Sequence, residues 1–175
     1  MLSLQGCERI LDVACGTGEL ERRLFAQWPG LHITGVELSP KMLAQARDKH
    51  LIGDLTWIEA EASALPCPYG QFDVVVCANS FHCFHEPLAC LREFRRSLAP
   101  HGQVILVDWC DDYLTCKLAS FWFKLTDPAF FHTYTMRRFR AMFEEAGFEV
   151  VHSERFKVGW FWGMMLWHGK RVDVN

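Results

Sequence analysis

The chain has no long hydrophobic run, no strong charge of either sign and no closely paired cysteines, and each absence removes a class of function. No stretch reaches the roughly 18–20 consecutive apolar residues that cross a bilayer. The nearest approach is Trp160-Phe161-Trp162-Gly163-Met164-Met165-Leu166-Trp167. Flanked by Gly159 and Gly169, it reads as a strand of a sheet, with a segment lying at a membrane interface as the alternative. Eighteen Lys and Arg stand against 21 Asp and Glu, for a net charge of −3 and a pI near 6.2. The basic face that grips nucleic acid is therefore missing, and the pairs Arg95-Arg96 and Arg137-Arg138 read as solvated helix faces. None of the eight cysteines forms a C-x-x-C spacing, so reduced thiols in a cytoplasmic protein are expected rather than a disulfide framework or a zinc ribbon. Met1-Leu2-Ser3-Leu4 lacks the basic start and apolar run of a secretory leader.

What is present is half apolar and 22% charged over 175 residues, enough for one domain with a substantial core and too little for two. Short apolar runs alternate with helical patterns. Residues 9–13 read as a buried strand, followed by a helix with Leu20, Leu24 and Phe25 on one face and Glu19, Glu21, Arg22 and Arg23 largely on the other. Further strands are expected at 32–36, 55–58, 72–77 and 104–107. Helices are expected after Ser39-Pro40, an N-cap with proline at the first helical position, and from Pro87 to Leu98, stopped by Pro100-His101-Gly102. Five strands joined through helices, with no two-residue hairpin between them, require crossovers and a parallel sheet. Beyond them, Leu114, Leu118, Phe121, Trp122 and Leu125 recur at helical spacing opposite a polar stripe of Tyr113, Lys117, Ser120 and Lys124. A helix over 136–146 ends at Gly147, and two strands, 148–156 and 158–167, follow in direct succession.

The strongest chemical signal is Asp12-Val13-Ala14-Cys15-Gly16-Thr17-Gly18 between the first strand and helix, with Glu37 at the tip of the second strand. Glycines here let the backbone approach a ligand closely, and an acid at the end of the next strand accepts both hydroxyl hydrogens of a ribose. A dinucleotide site would need a third glycine where this chain has Glu21. Glu19 adds negative charge in the same turn, which serves a pyrophosphate poorly. S-adenosylmethionine carries no phosphate and has a cationic sulfonium, so it suits an acidic rim better.

The segment Ile10-Leu11-Asp12-Val13-Ala14-Cys15-Gly16-Thr17-Gly18 resembles the first motif of class I S-adenosylmethionine-dependent methyltransferases, in the small-molecule branch that includes the ubiquinone/menaquinone C-methyltransferases. The likeness continues through Val36-Glu37-Leu38-Ser39-Pro40-Lys41-Met42-Leu43, Glu61-Ala62-Ser63-Ala64-Leu65-Pro66 and Phe72-Asp73-Val74-Val75-Val76, and then through Leu98-Ala99-Pro100-His101-Gly102 and Phe143-Glu144-Glu145-Ala146-Gly147-Phe148. It implies an α/β Rossmann-like fold. Its mostly parallel seven-stranded sheet would carry helices on both faces and an antiparallel last strand. The whole chain, 1–175, would be a single methyltransferase domain: a cofactor half at about 1–108, a substrate or lid region at about 109–147 and closing strands at about 148–168.

The resemblance also implies roles. Asp12 and the backbone at Ala14 and Gly16, with Gly18 in the same turn, would face the methionine part of S-adenosylmethionine, whose product is S-adenosylhomocysteine. Glu37 would hold the ribose and Leu38 would lie against the adenine. Glu61 would accept from the adenine amino group beside the Ala62 backbone. Ala78 or Asn79 would border the methyl-transfer space. Ala14 stands in place of a glycine and Glu61 where aspartate is frequent.

His82-Cys83-Phe84-His85 offers two imidazoles and no third ligand of evident spacing, so no metal is expected. His82 is a candidate general base, with a packing histidine as the alternative. The stretch from Asp108 to Thr135 would supply the substrate lid; its Phe121, Trp122, Phe123, Phe130, Phe131 and Tyr134 suggest an apolar or aromatic small-molecule acceptor, with ordinary core as the alternative. A homodimer is compatible with the sequence. Only about eight residues precede the first strand, where the family carries helices that close over cofactor and substrate. A start further upstream, a shortened chain, a partner that supplies the cover, or an open site would each account for this. A nicotinamide-dependent oxidoreductase and a non-catalytic regulatory protein of the same fold are the competing readings.

Overall fold

The computed structural model describes residues 4–126 and 131–172. Its elements alternate as the apolar periodicity requires. β1 (Arg9–Val13) leads to α1 (Glu19–Gln27), β2 (His32–Glu37) to α2 (Pro40–Arg47), and β3 (Asp54–Glu59) to β4 (Phe72–Ala78). A single 3-10 turn (Phe81–Cys83) precedes α3 (Pro87–Ser97) and β5 (Leu98–Trp109). The chain then runs through α4 (Leu114–Thr126), α5 (Met136–Glu145), β6 (Phe148–Val158) and β7 (Trp162–Arg171).

The seven strands form one sheet in the order β3-β2-β1-β4-β5-β7-β6. β7 pairs antiparallel with both β5 and β6, and the remaining neighbours pair parallel. This is the Rossmann-like sheet with an antiparallel last strand that the resemblance implies. Strands buried on both faces have no alternation, and β1 is accordingly buried from Ile10 to Val13.

The caps follow local chemistry. The Ser39 hydroxyl accepts from the Met42 N–H at 3.3 Å and Pro40 opens α2. The Thr135 hydroxyl accepts from the Arg138 N–H at the start of α5, and Gly147 leaves that helix at φ +86°. Two boundaries differ from expectation. β6 runs on through Val158, so the last strand starts at Trp162 rather than at Val158 and ends at Arg171, with Trp160 and Phe161 in the turn. The other is at the end of α3. α3 ends at Ser97 and β5 begins at once, pairing Leu98 with Phe72 before the register jumps to Gln103 opposite Val74. Pro100 has no N–H to give to a ladder, and His101 takes a left-handed φ of +62°, so 99–102 form an irregularity inside the strand pairing rather than the stop of a helix.

Pleating divides the core. Leu11, Val13, Val75 and Cys77 face α3 and α5, where Phe81, Phe94, Phe139, Phe143 and Trp167 complete a large aromatic cluster. Ile10, Ile33 and Val74 face the other way, onto Phe25 of α1 and Leu31. On that second face an open cleft of about 540 Å³ lies over Val74, Val76, Ile105 and Leu166, beside Leu20 and Leu24 of α1.

Two helices turn their faces against expectation. Glu21 is fully buried rather than on the solvent face of α1, while Leu20 and Leu24 are only half-buried. α1 leaves the glycine turn so that Glu21 points back to Asp12. In α4, Cys116, Ala119 and Ser120 form the buried face, and Leu114, Leu118, Phe121, Trp122 and Leu125 face outward. The Ser120 hydroxyl is bonded to Thr133 and Asp111, so the expected polar stripe is split between core and surface.

Candidate functional site

In the sheet order, β1 sends its chain to β2 on one side and has β4 on the other. The carboxyl ends of β1 and β4 therefore diverge into a crevice, the place where open parallel sheets bind ligands. A cavity of about 500 Å³ opens there, between the end of β1, the tips of β2 and β3 and the segment after β4. Ala14, Glu37, Leu38, Glu61 and Ala62, all singled out from the sequence, line it. Met42, Phe84, His85 and Phe131 add apolar and aromatic walls.

Glu37 is the organising group. Its carboxylate accepts the Gly16 N–H at 3.0 Å on one oxygen and the Ser39 N–H at 2.9 Å on the other. The carboxylate is thus held by backbone from two loops, with one lone pair per oxygen left for a ligand. At the tip of the sheet the Ala60 N–H donates to the Glu37 carbonyl and the Cys15 N–H to the Val36 carbonyl, fixing the height of the glycine turn beside β2.

The two glycines of that turn differ. A Cβ on Gly16 (φ +58°) would meet no atom within 4 Å, so this residue borders open space. A Cβ on Gly18 (φ +76°) would come within 2.7 Å of the Trp57 ring, which also presses on Gly35. Gly18 and Gly35 clear a slot for one tryptophan of β3; Gly16, which is not among the residues lining the cavity, leaves open space beside the turn. Ala14 (φ +59°) and Asn79 (φ +56°) hold left-handed backbone at the ends of β1 and β4, a conformation costly without glycine and concentrated at ligand sites. The Ser80 hydroxyl links the two ends by donating to the Ala14 carbonyl at 3.5 Å and to that of Ala78.

Asp12 does not reach the cavity wall. It lies beneath the turn, 2% exposed, with its carboxyl in hydrogen-bonding reach of Glu21. Burial raises both carboxyls above the ordinary range. Asp12 is raised most, because the charges of Glu21 and Glu37 also face it. Neither Glu21 oxygen meets a donor among the described residues. The pair thus holds a proton that isolated carboxylates would give up. Glu19, by contrast, is exposed and bonded to Arg22 and Arg23, which pull its pKa down to about 2, and Lys49 lies 3.6 Å away. The acid in the first turn is therefore compensated, and the negative rim comes from elsewhere: Glu37, Glu61 and Glu86 line the cavity, and among the described residues no Lys or Arg does.

Comparison with known proteins agrees with this geometry. The family described as methyltransferase domain matches residues 10–102, from β1 to the start of β5. The chain belongs to this family. Among its relatives, a demethylmenaquinone methyltransferase of Thermotoga maritima is 31% identical over 91% of this chain and 79% of its own length. One of the same name from Thermus thermophilus is 40% identical over 58% of this chain. The match spans 47% of that Thermus protein, so the chain covers about half the length of some curated relatives. In structure, an S-adenosylmethionine dependent methyltransferase from Mesorhizobium loti superposes with a TM-score of 0.83 over 97% of this chain and 94% of that one, at 20% identity.

Beyond β4 the methyltransferase domain builds a second cluster that the sequence only half discloses. Asp108, at the end of β5, is 1% exposed. Its carboxylate accepts the backbone N–H of His82 at 2.9 Å and faces the His82 ring nitrogen Nδ1 at 2.8 Å. Burial by itself would lower the imidazole pKa. The hydrogen bond to Asp108, a contact to Cys83 and the Asp108 charge outweigh it and raise the value to about 10. The ring stacks on Trp109 at 4.7 Å, and Trp109 meets Phe123 and Trp162. The Trp109 indole N–H donates to the Asn79 side chain at 2.8 Å, joining this cluster to the end of β4. His85 does not share a site with His82; its ring packs on Phe131, 3.7 Å between centroids. Of the lid aromatics, Phe123 and Phe131 face inward, Tyr134 is core, Phe121 and Trp122 face solvent, and Phe130 lies outside the described residues. The sequence places Asp108 and Trp109 only at the start of the lid stretch, without a role of their own. Yet Asp108 ends its strand with an acid just as Glu37 does, and that signal was available.

Proposed function

We infer that the chain binds S-adenosylmethionine in the crevice at the ends of β1, β2 and β3 and presents its methyl group to a small apolar or aromatic acceptor of the quinone type named in its relatives. The observation that carries this is the cavity's charge complement, three glutamates with no Lys or Arg among the described residues, around a carboxylate held by two backbone N–H groups. A phosphate would be repelled there, whereas a cationic, phosphate-free nucleoside is matched. The cavity volume of about 500 Å³ is ample for such a ligand, and the bare backbone at Gly16 gives it a close approach.

The residues then divide the work. Glu37 takes the ribose hydroxyls on its free lone pairs. Leu38 and Met42 cover the adenine, and Glu61 with the Ala62 backbone reads its edge. The backbone at Ala14 and Gly16 lies toward the methionine end, with Asp12 buried beneath it and acting through the shape of the turn, and Ala78 and Asn79 border the space where methyl is passed. Gly18 acts through the turn's shape. When bound, S-adenosylmethionine supplies a methyl carbon activated by its sulfonium. The chain's own task is therefore to align the acceptor and exclude water. His82, held by Asp108, keeps its proton at neutral pH. It offers an acceptor oxygen a hydrogen-bonding ring, with the imidazolium charge balanced by Asp108. Trp109, Phe123 and Trp162 offer flat apolar surface for the acceptor ring. The protein works in the cytoplasm on a small molecule.

Calorimetry with S-adenosylhomocysteine tests this. The wild type should bind at micromolar levels, and Glu37→Ala should lose about tenfold or more, roughly 1.4 kcal/mol. Equal affinity in the two proteins would refute the assignment of the ribose site.

A further inference from the structure

α4 is amphipathic in the reverse of the usual sense. Its buried face is narrow and small, made by Cys116, Ala119 and Ser120, with Phe123 turned to Trp109. The opposite face carries Leu114, Leu118, Phe121, Trp122 and Leu125, each between 64% and 72% exposed. At 100° per residue these five fall within an arc of about 100°. With on the order of 100 Å² of apolar surface per side chain, the stripe exceeds the few hundred Å² that soluble monomers ordinarily leave bare.

The neighbouring turn extends this surface. The Thr115 hydroxyl bonds to the Phe161 carbonyl, and Cys116 contacts Gly163 at the start of β7. The β6–β7 turn, fastened to α4 in this way, projects Trp160 at 82% exposure, with Val158 also exposed.

Charge indicates what covers the stripe. Residues 113–126 and 155–163 contain Lys117, Lys124, Arg155 and Lys157 and no Asp or Glu, in a chain whose net charge is −3. Arg155 and Lys157 lie over the Tyr113 ring just before α4. Glu154 faces the cleft on the other side of the sheet. The Asp111 and Asp112 carboxylates accept from Ser120 and from the Met136 N–H. A protein partner seated through an apolar core would not need a cationic rim. An interfacial helix on an anionic bilayer has this composition: Leu and Phe in the centre, tryptophan at the margin and basic residues around it.

We propose that α4 and the adjoining β6–β7 turn seat the protein on an anionic lipid surface, so that an acceptor dissolved in the bilayer enters the aromatic cluster from the membrane side. The inner face of the same helix meets Trp109, which stacks on His82; outer anchor and inner aromatic cluster are thus two sides of one element. The entry route rests on the methyltransferase reading above, whereas the docking surface stands on its own.

The test is cosedimentation of the full chain with vesicles of phosphatidylcholine containing a minority of phosphatidylglycerol, in the absence of cofactor and acceptor. The chain should pellet with these vesicles and bind several-fold less to phosphatidylcholine alone. Leu118→Gln with Phe121→Gln should lower binding at least tenfold while circular dichroism and S-adenosylhomocysteine affinity stay unchanged. Lys117→Glu with Lys157→Glu should abolish the preference for anionic lipid. The proposal is overturned by a chain that stays in the supernatant with both vesicle types, or by an apolar double variant that pellets as well as the wild type. It is likewise overturned by self-association, without lipid, that this double variant dissolves, since a second copy would then own the surface. Vesicle binding without S-adenosylhomocysteine binding would sink the cofactor reading alone; the converse result would sink this proposal alone.

Discussion

Replacing Glu21 by Gln should make the protein more stable at neutral and alkaline pH, although the residue is fully buried. Among the described residues its two oxygens meet no donor apart from the proton shared with the Asp12 carboxyl, and that proton is lost as pH rises. Buried polar atoms without partners cost about 1–3 kcal/mol. Glutamine keeps the shape, removes a charge and offers the Asp12 carboxylate an N–H. The gain at about pH 8 should therefore be about 1–3 kcal/mol, or about 2–4 °C in melting temperature for each kcal/mol in a chain of this size. The sign follows from linkage. Both carboxyls are raised on folding, so the folded state holds protons that the unfolded chain releases near pH 4. Stability is thus lost as pH climbs from there through the folded-state values. Glu21→Gln removes one of these titrations, so the two melting curves should converge toward about pH 5. Thermal unfolding of both proteins across this range is the assay. A Glu21→Gln variant that melts below the wild type at about pH 8, or keeps the same slope with pH, would refute the shared-proton pair.

Further outcomes follow from the same geometry. Gly18→Ala should cost about 2–4 kcal/mol in chemical denaturation, combining left-handed strain with overpacking against Trp57. Gly16→Ala, with nothing to strike, should cost only about 1 kcal/mol yet weaken S-adenosylhomocysteine binding markedly. Asp108→Asn should lower the His82 titration, followed by NMR, from about 10, because burial is then opposed only by the contact to Cys83. Since the raised His82 value adds stability below about pH 6.5 and loses it as pH rises through about 10, the variant should also flatten the alkaline decline. Native alkylation should modify exposed Cys7 first and half-buried Cys83 more slowly, leaving the six buried thiols for denaturant; prompt labelling of Cys15 or Cys77 would contradict the packing of β1 and β4.

Much of this was legible from periodicity and turn chemistry. Strands without alternation, Ser39-Pro40, Gly147 and the run from Asp12 to Gly18 mark the architecture, and Glu37 marks the crevice. What stayed hidden depends on distant pairing or on direction. Gly18 serves Trp57, 39 positions later, and no local pattern links them. Glu21 has the spacing of a surface residue on a nine-residue helix, and only the angle at which α1 leaves its turn turns it inward. The stripe on α4 marks a helix but not which side of it meets solvent; its five large side chains face out because small Cys116, Ala119 and Ser120 allow closer packing on the sheet. The pairing of Leu98 with Phe72 was masked by Pro100, which reads as a terminator until the register jump gives it a place.

The sheet order also governs how the chain emerges during synthesis. β7 is made after its six companions yet sits between β5 and β6. Until residues 162–171 leave the ribosome, β5 presents Ile105, Leu106 and Val107 along an unpaired edge, and β6 has no neighbour at all. Parallel pairing of the first five strands can proceed meanwhile, but the nascent protein keeps a sticky margin to the end. Loss of this one late strand should therefore yield aggregates rather than a smaller folded core.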